Sequence, residues 1–118
     1  IFCGLEVLSL PMLVIGAAGL MNAVGNLTPS RVAAMCDAVN NNDVEKARSL
    51  HFELFELNQA IFLDTNPIPV KYMMWRMGLL ETPEVCLPLM QLGEDQRQRL
   101  NQVLDRSGLI EVTEAAGL

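Results

Sequence analysis

The run IFCGLEVLSLPMLVIGAAGLMNAV, Ile1 to Val24, sets the architecture of the chain. Ile1–Cys3 reads as a short buried strand that stops at Gly4. Residues near Leu8 to Ile15 read as a helix. Pro11 is tolerable there only in the first turn, where its missing N–H has no intrahelical partner to lose. Gly16 and Gly19 bracket a tight turn, and Leu20 to Val24 reads as a second buried strand. Strand, short helix and strand in such a run make a βαβ unit, with parallel strands and a right-handed crossover. Parallel sheets are covered on both faces. Two such strands therefore need companions, which are expected upstream of Ile1 in a larger protein.

Beyond Val24 the pattern is helical. Thr28 is a natural N-cap with Pro29 at the first helical position. Val32, Ala33, Cys36 and Val39 follow at helical spacing, and Asn40-Asn41-Asn42 ends that helix. Asn42 with Glu45 three residues on has the form of a capping box for the next helix, roughly Asp43 to Phe62. Its apolar stripe is Val44, Ala47, Leu50, Leu54, Leu57 and Ile61. Asn66-Pro67 repeats the cap-then-proline logic for a helix through Ile68, Val70, Met73, Met74 and Met77, stopped by Gly78. A loop with Pro83 and Pro88 precedes a last helix, Glu94 to Arg106, with an acidic first turn and Gly108 as its stop. Residues after Val112 read as frayed.

The fold class expected is therefore α/β: the C-terminal part of a TIM (β/α)8 barrel, contributing its last two strands and helices, followed by a C-terminal helical extension. The division falls as 1–41 for the last two β/α units and 42–118 for the helical region. A whole barrel needs about 250 residues, and this chain has 118.

Composition narrows the function classes. The chain is 51% apolar and 19% charged, with a net charge of −6. Its lysines are Lys46 and Lys71, and no basic run exists to neutralise phosphates, so no nucleic-acid partner is expected. Cys3, Cys36 and Cys86 are odd in number and widely spaced, which argues against a disulfide framework or structural zinc and fits a reducing compartment. The uncharged span Val7 to Ser30 is long enough for a membrane helix. Pro11, Gly16, Gly19, Asn22, Gly25 and Asn26 interrupt it, so no membrane partner is expected.

Few residues offer chemistry on their own. His51 lies mid-helix without a Ser, Cys or Asp at a telling spacing, and reads as a partly exposed or core-edge histidine. No metal and no cofactor are expected. Glu6, Asp64 and Glu81 lie near loops or element ends and read as solvated carboxylates. Lys71 sits in an apolar setting that could lower its pKa toward Schiff-base chemistry. It lies inside a helix, however, and barrel nucleophiles come from strand ends, so it reads as a lysine with a packed stem. Tyr72, Met73, Met74, Trp75 and Met77 read as core or as a subunit contact. Gly4 and Leu20 to Asn22 stand at the C-terminal ends of the two strands, where barrel active sites are built.

Three segments carry a resemblance. Gly16-Ala17-Ala18-Gly19-Leu20-Met21-Asn22-Ala23-Val24-Gly25-Asn26 resembles the eighth-strand region of the 4-hydroxy-tetrahydrodipicolinate synthase (dihydrodipicolinate synthase) family. Asn66-Pro67-Ile68-Pro69-Val70-Lys71 is similar to that family's Asn-Pro-Ile-Pro-Val-Lys segment, and Leu87-Pro88-Leu89 to its segment before the last helix. The likeness spans about Ile1 to Ile110. The glycine-rich segment is shared more loosely with N-acetylneuraminate lyase and the keto-deoxy sugar acid aldolases.

The resemblance implies a cytoplasmic homotetrameric lyase, whose lysine on the sixth strand forms a Schiff base with pyruvate. The enamine then attacks aspartate semialdehyde on the way to diaminopimelate and lysine. That lysine, and the family's proton-relaying tyrosine and threonines, belong upstream, so no catalytic residue is expected in this chain. By the same resemblance Met21 lines the pyruvate pocket with its backbone, Gly4 faces the second substrate, and Asn66 lies near the pocket mouth. Asn66 has an equal reading as a plain helix cap, and Met21 as plain strand core. Where many relatives have Gly-Asp-Asp, this chain has Gly4-Leu5-Glu6, which leaves a sibling pyruvate-dependent aldolase open. Two readings from different classes also stay open: a non-catalytic helical module whose Met-rich face binds a partner, and a membrane-anchored helical protein.

Overall fold

The computed structural model describes residues 1–110; the fraying expected after Val112 lies outside them. Two short strands, β1 (Phe2–Cys3) and β2 (Gly19–Leu20), pair in parallel, Phe2 beside Gly19 and Cys3 beside Leu20. Bonds from Ala18 N–H to the Ile1 carbonyl and from Met21 N–H to the Cys3 carbonyl, both 2.8 Å, flank this register. The crossover is a 3-10 turn, Glu6–Leu8, running into α1 (Ser9–Val14). Pro11 is the third residue of α1, within the first turn as expected. Gly16 turns the chain back at φ 102°, a conformation open to glycine and strained for side-chain-bearing residues.

The second strand is shorter than the sequence predicts. It ends at Leu20, and Val24–Asn26 form a 3-10 turn instead of extended chain. Side-chain oxygens replace the ladder here. Glu6 Oε1 accepts the Ala23 N–H at 2.5 Å, and Asn22 Oδ1 accepts the Gly25 N–H at 3.3 Å. Such local acceptors offer the backbone an alternative to pairing.

Four helices follow: α2 (Pro29–Asn40), α3 (Val44–Ala60), α4 (Ile68–Arg76) and α5 (Glu94–Ser107). Thr28 is the N-cap residue of α2 with Pro29 behind it, although the Thr28 side chain makes no capping bond. The buried line of α2 is Met35 and Ala38, with Val32, Cys36 and Val39 half-buried and Ala33 exposed, so the stripe is turned away from Ala33 toward α3. The cap of α3 is Asp43, not Asn42: its Oδ1 accepts the Lys46 N–H at 3.1 Å. Asn42 is already committed to ending α2. It sits at φ 58°, with Asn42 N–H to Val39 and Asp43 N–H to Ala38 closing the left-handed stop of a Schellman motif.

Ala47, Leu54, Leu57 and Ile61 are buried as the α3 stripe requires, whereas Val44 in the first turn is exposed. In α4 the first helical bond runs from Lys71 N–H to the Pro67 carbonyl, so Pro67 is the cap and Asn66 stands one residue outside. The peptide between them is cis. Gly78 and Gly108 end the last two helices in left-handed conformations.

Met35, Leu54, Leu57, Ile61, Met73, Leu100 and Leu104 form the centre of the core, joined by Val24 and Leu27 from the strand-end segment. Each such burial contributes about 1.5–3 kcal/mol before chain entropy is counted. Met73 is fully buried and Met74 and Met77 pack against the same cluster, which assigns the methionine stretch to the core. None of the four phenylalanines is buried. Among the described residues no helix is long and apolar enough to cross a membrane.

Candidate functional site

Parallel pairing puts the C-terminal ends of β1 and β2 side by side, and the chain leaves both strands at the same level. Gly4 follows β1 and Met21 follows β2. A Cβ at Gly4 would lie 3.5 Å from the Met21 carbonyl oxygen, so these two expected site residues are neighbours. Met21 is 75% exposed and Leu5 41%, which leaves the strand ends as an open, mostly apolar floor with backbone carbonyls in it. Asn66 is exposed on the separate stretch before α4. The α4 helix packs against the Val24–Asn26 turn, which ties that stretch to the strand-end side of the molecule.

Beneath the floor lies a polar layer that sequence reasoning misses. Glu6, expected as a solvated carboxylate, is 1% exposed. Its Oε1 holds the Ala23 N–H, and its carbonyl accepts the Ser9 N–H and, at 3.4 Å, Asn58 Nδ2 from α3. Glu6 Oε2, Ser9 Oγ and Asn58 Oδ1 are buried without a hydrogen-bond partner. Asn26 Nδ2 donates to the Ala23 carbonyl at 3.0 Å from the other side. The signal for Glu6 is its place: first residue of the turn that leaves β1, facing the exit of β2. Spacing alone cannot show that, because the contact spans 17 residues.

The other candidates lie on the helices and loops outside the strand pair. His51 is 9% exposed, between the rings of Phe52 and Phe55 at centroid distances of 5.4 and 5.8 Å, and its Nδ1 makes no hydrogen bond. Lys71 is half-buried on α4. Asp64 is half-buried and accepts Gln96 Nε2 at 2.9 Å, and Glu81 is exposed. Burial, with the neighbouring Asp37 carboxylate, pushes the Cys36 thiol up from its ordinary range. Among the described residues no cluster of three or more His, Cys, Asp or Glu could hold a metal ion. A surface groove between α4 and α5, edged by Tyr72, Arg76, Glu84 and Arg97, brings no histidine, cysteine or lysine to its walls.

Known proteins resemble this chain in sequence and fold. The model of the dihydrodipicolinate synthetase family matches residues 1–107. The chain is 46% identical over 110 residues to 4-hydroxy-tetrahydrodipicolinate synthase of Thermus thermophilus, covering 93% of this chain and 36% of that protein. The corresponding synthase of Persephonella marina is 37% identical over 110 residues, with 93% and 38% covered. The crystal structure of dihydrodipicolinate synthase from Thermotoga maritima superposes with a TM-score of 0.87 at 34% identity, covering 91% of this chain and 36% of that one. The chloride-inhibited enzyme of Acinetobacter baumannii, complexed with pyruvate, gives 0.87 at 29% identity, covering 92% and 37%. The chain thus spans somewhat over a third of the length of the relatives it matches.

Proposed function

This chain belongs to the dihydrodipicolinate synthetase family, and from that premise we propose that it forms the C-terminal portion of a Schiff-base lyase condensing pyruvate with aspartate semialdehyde. β1 and β2 are then the last two strands of a (β/α)8 barrel. Residues 1–41 complete that barrel, and the helices of the region 42–118, described as far as residue 110, lie beyond it. The observation that carries the reading is the parallel pair whose C-terminal ends bring Gly4 against the Met21 carbonyl. In barrels that end of the sheet is where substrates bind. The apolar side chains left open at the strands, Ile1, Phe2, Leu5 and Met21, support the same reading, because parallel strands are ordinarily covered on both faces.

In this proposal the chain supplies pocket wall, not nucleophile. The Met21 backbone borders pyruvate, Gly4 gives the second substrate close access, and Asn66 stands near the mouth. The reacting lysine lies in another part of the protein; Lys71, in the first turn of α4, does not take its place. The family premise extends the proposal to a cytoplasmic homotetramer in lysine and diaminopimelate biosynthesis. Leu5 favours one second reading. It is exposed beside Gly4 where an acidic residue is common, and so suits a sibling aldolase that joins pyruvate to a different aldehyde.

The test is borohydride reduction of the complete gene product with pyruvate, followed by assays with aspartate semialdehyde and with sugar-derived aldehydes. The proposal expects a pyruvyl adduct on a lysine outside this chain and turnover with aspartate semialdehyde. The 118-residue chain alone is expected to keep its mass unchanged. An adduct on Lys71, or no adduct on the complete protein, contradicts it.

A further inference from the structure

We propose that Glu6 is a positioning residue for the segment Met21–Ala23, and so for the pyruvate-facing backbone. The proposal rests on the reading of that segment given above. Past Leu20 the segment leaves the sheet, and its last ladder bond is Met21 N–H to the Cys3 carbonyl. The Met21 side chain is 75% exposed and packs little. The next fully buried side chain is Val24, 1% exposed. Between those anchors Ala23 packs partly against the core, its carbonyl accepts the Asn26 N–H and Asn26 Nδ2, and Glu6 Oε1 is the side-chain acceptor on its N–H. Glu6 is itself fixed, since its carbonyl takes the Asn58 amide of α3. A line of contacts therefore runs from the helical core through Glu6 to the strand exit.

The cost of the arrangement argues for a role beyond stability. A carboxylate at 1% exposure with Oε2 unpaired is an expensive way to fill a turn, and an apolar residue of the same size is usually no worse for stability. Only an acceptor can fix the Ala23 amide. Because Glu6 is buried and already engaged, it acts on the backbone and does not touch substrate.

The test compares Glu6→Gln, which keeps an acceptor oxygen, with Glu6→Met, which keeps the length and loses it, in the complete gene product. Readouts are Tm, pyruvate KM and kcat, and amide exchange at Ala23. The Met variant is expected to raise the pyruvate KM about tenfold with a smaller change in kcat, the scale of one net hydrogen bond, and Gln to restore it to within about threefold. Ala23 exchange is expected to be slow in wild type and Gln and fast in Met. A folded Met variant with wild-type KM and wild-type Ala23 exchange overturns the proposal, as does a Gln variant no better than Met. If Met does not fold, Gln decides: protected Ala23 with near-wild-type KM supports the role, and loss of both overturns it. Should the wild-type protein form no pyruvyl adduct, the functional reading fails, and equal Ala23 exchange in all variants is then what refutes the positioning role.

Discussion

The helical body and the strand-end segment solve the burial problem in opposite ways. In α2 to α5, leucines, methionines and isoleucine fill the interior, and ion pairs such as Arg31–Glu53 at 3.1 Å and Arg106–Glu56 lie outside. At the strand ends the pattern inverts. Ile1, Phe2, Leu5 and Met21 face outward while Glu6, Ser9 and Asn58 are buried, each with a polar atom unpaired. The first region is built for stability. The second buries polar groups beside the backbone at the exit of β2, and leaves apolar side chains for the rest of the proposed barrel to cover.

Substitutions should separate the two regions. The largest effect is expected in the body: Leu57→Ala, at 1% exposure in the last turn of α3, should cost about 2–5 kcal/mol by chemical denaturation. A loss below about 1 kcal/mol would show that the α3 seam is not a closed core. Asp43→Ala removes the side-chain cap on the Lys46 N–H and should cost about 1 kcal/mol, while the same change at Asn42 acts on the end of α2 instead.

Gly4→Ala belongs to the other region. Its new methyl meets only the Met21 carbonyl, at an ordinary 3.5 Å, so stability should move by less than about 0.5 kcal/mol. The KM for the aldehyde substrate should nevertheless rise. A large Tm loss with an unchanged KM would give Gly4 a purely structural role.

The smallest effect is at Cys36. Burial and Asp37 raise its pKa, so the folded protein holds this proton more tightly than the unfolded chain does. Its stabilising contribution is complete below the free-thiol pKa of about 8.5 and is lost as pH climbs through the folded value. At pH 8, alkylation followed by mass spectrometry should label exposed Cys86 well before half-buried Cys36.

Much of this is legible in the residues. Pro29 after Thr28, the acidic start of α5 and the glycines at 78 and 108 fix helix ends by local chemistry, and the helices lie where those signals put them. The departures share one cause. Val24 has the apolar, β-branched side chain of a strand residue, yet the strand ends before it, where Glu6 takes the Ala23 amide. Asn42 has the side chain of a cap, yet the stop of α2 claims its backbone. Asn66 is displaced from the cap of α4 by the proline after it. In each case a neighbouring group decides the outcome. The same holds for the site: Gly4 and Met21 are legible at strand ends, but the carboxylate beneath them is not, because its burial depends on α3.

The most direct measurement is a crystal structure of the complete gene product with pyruvate trapped by borohydride. It should show β1 and β2 flanked by further parallel strands and the pyruvyl group within about 4 Å of the Met21 backbone. A pyruvyl group bound away from the Gly4–Met21 floor, or a sheet that remains two strands wide, would contradict the proposal.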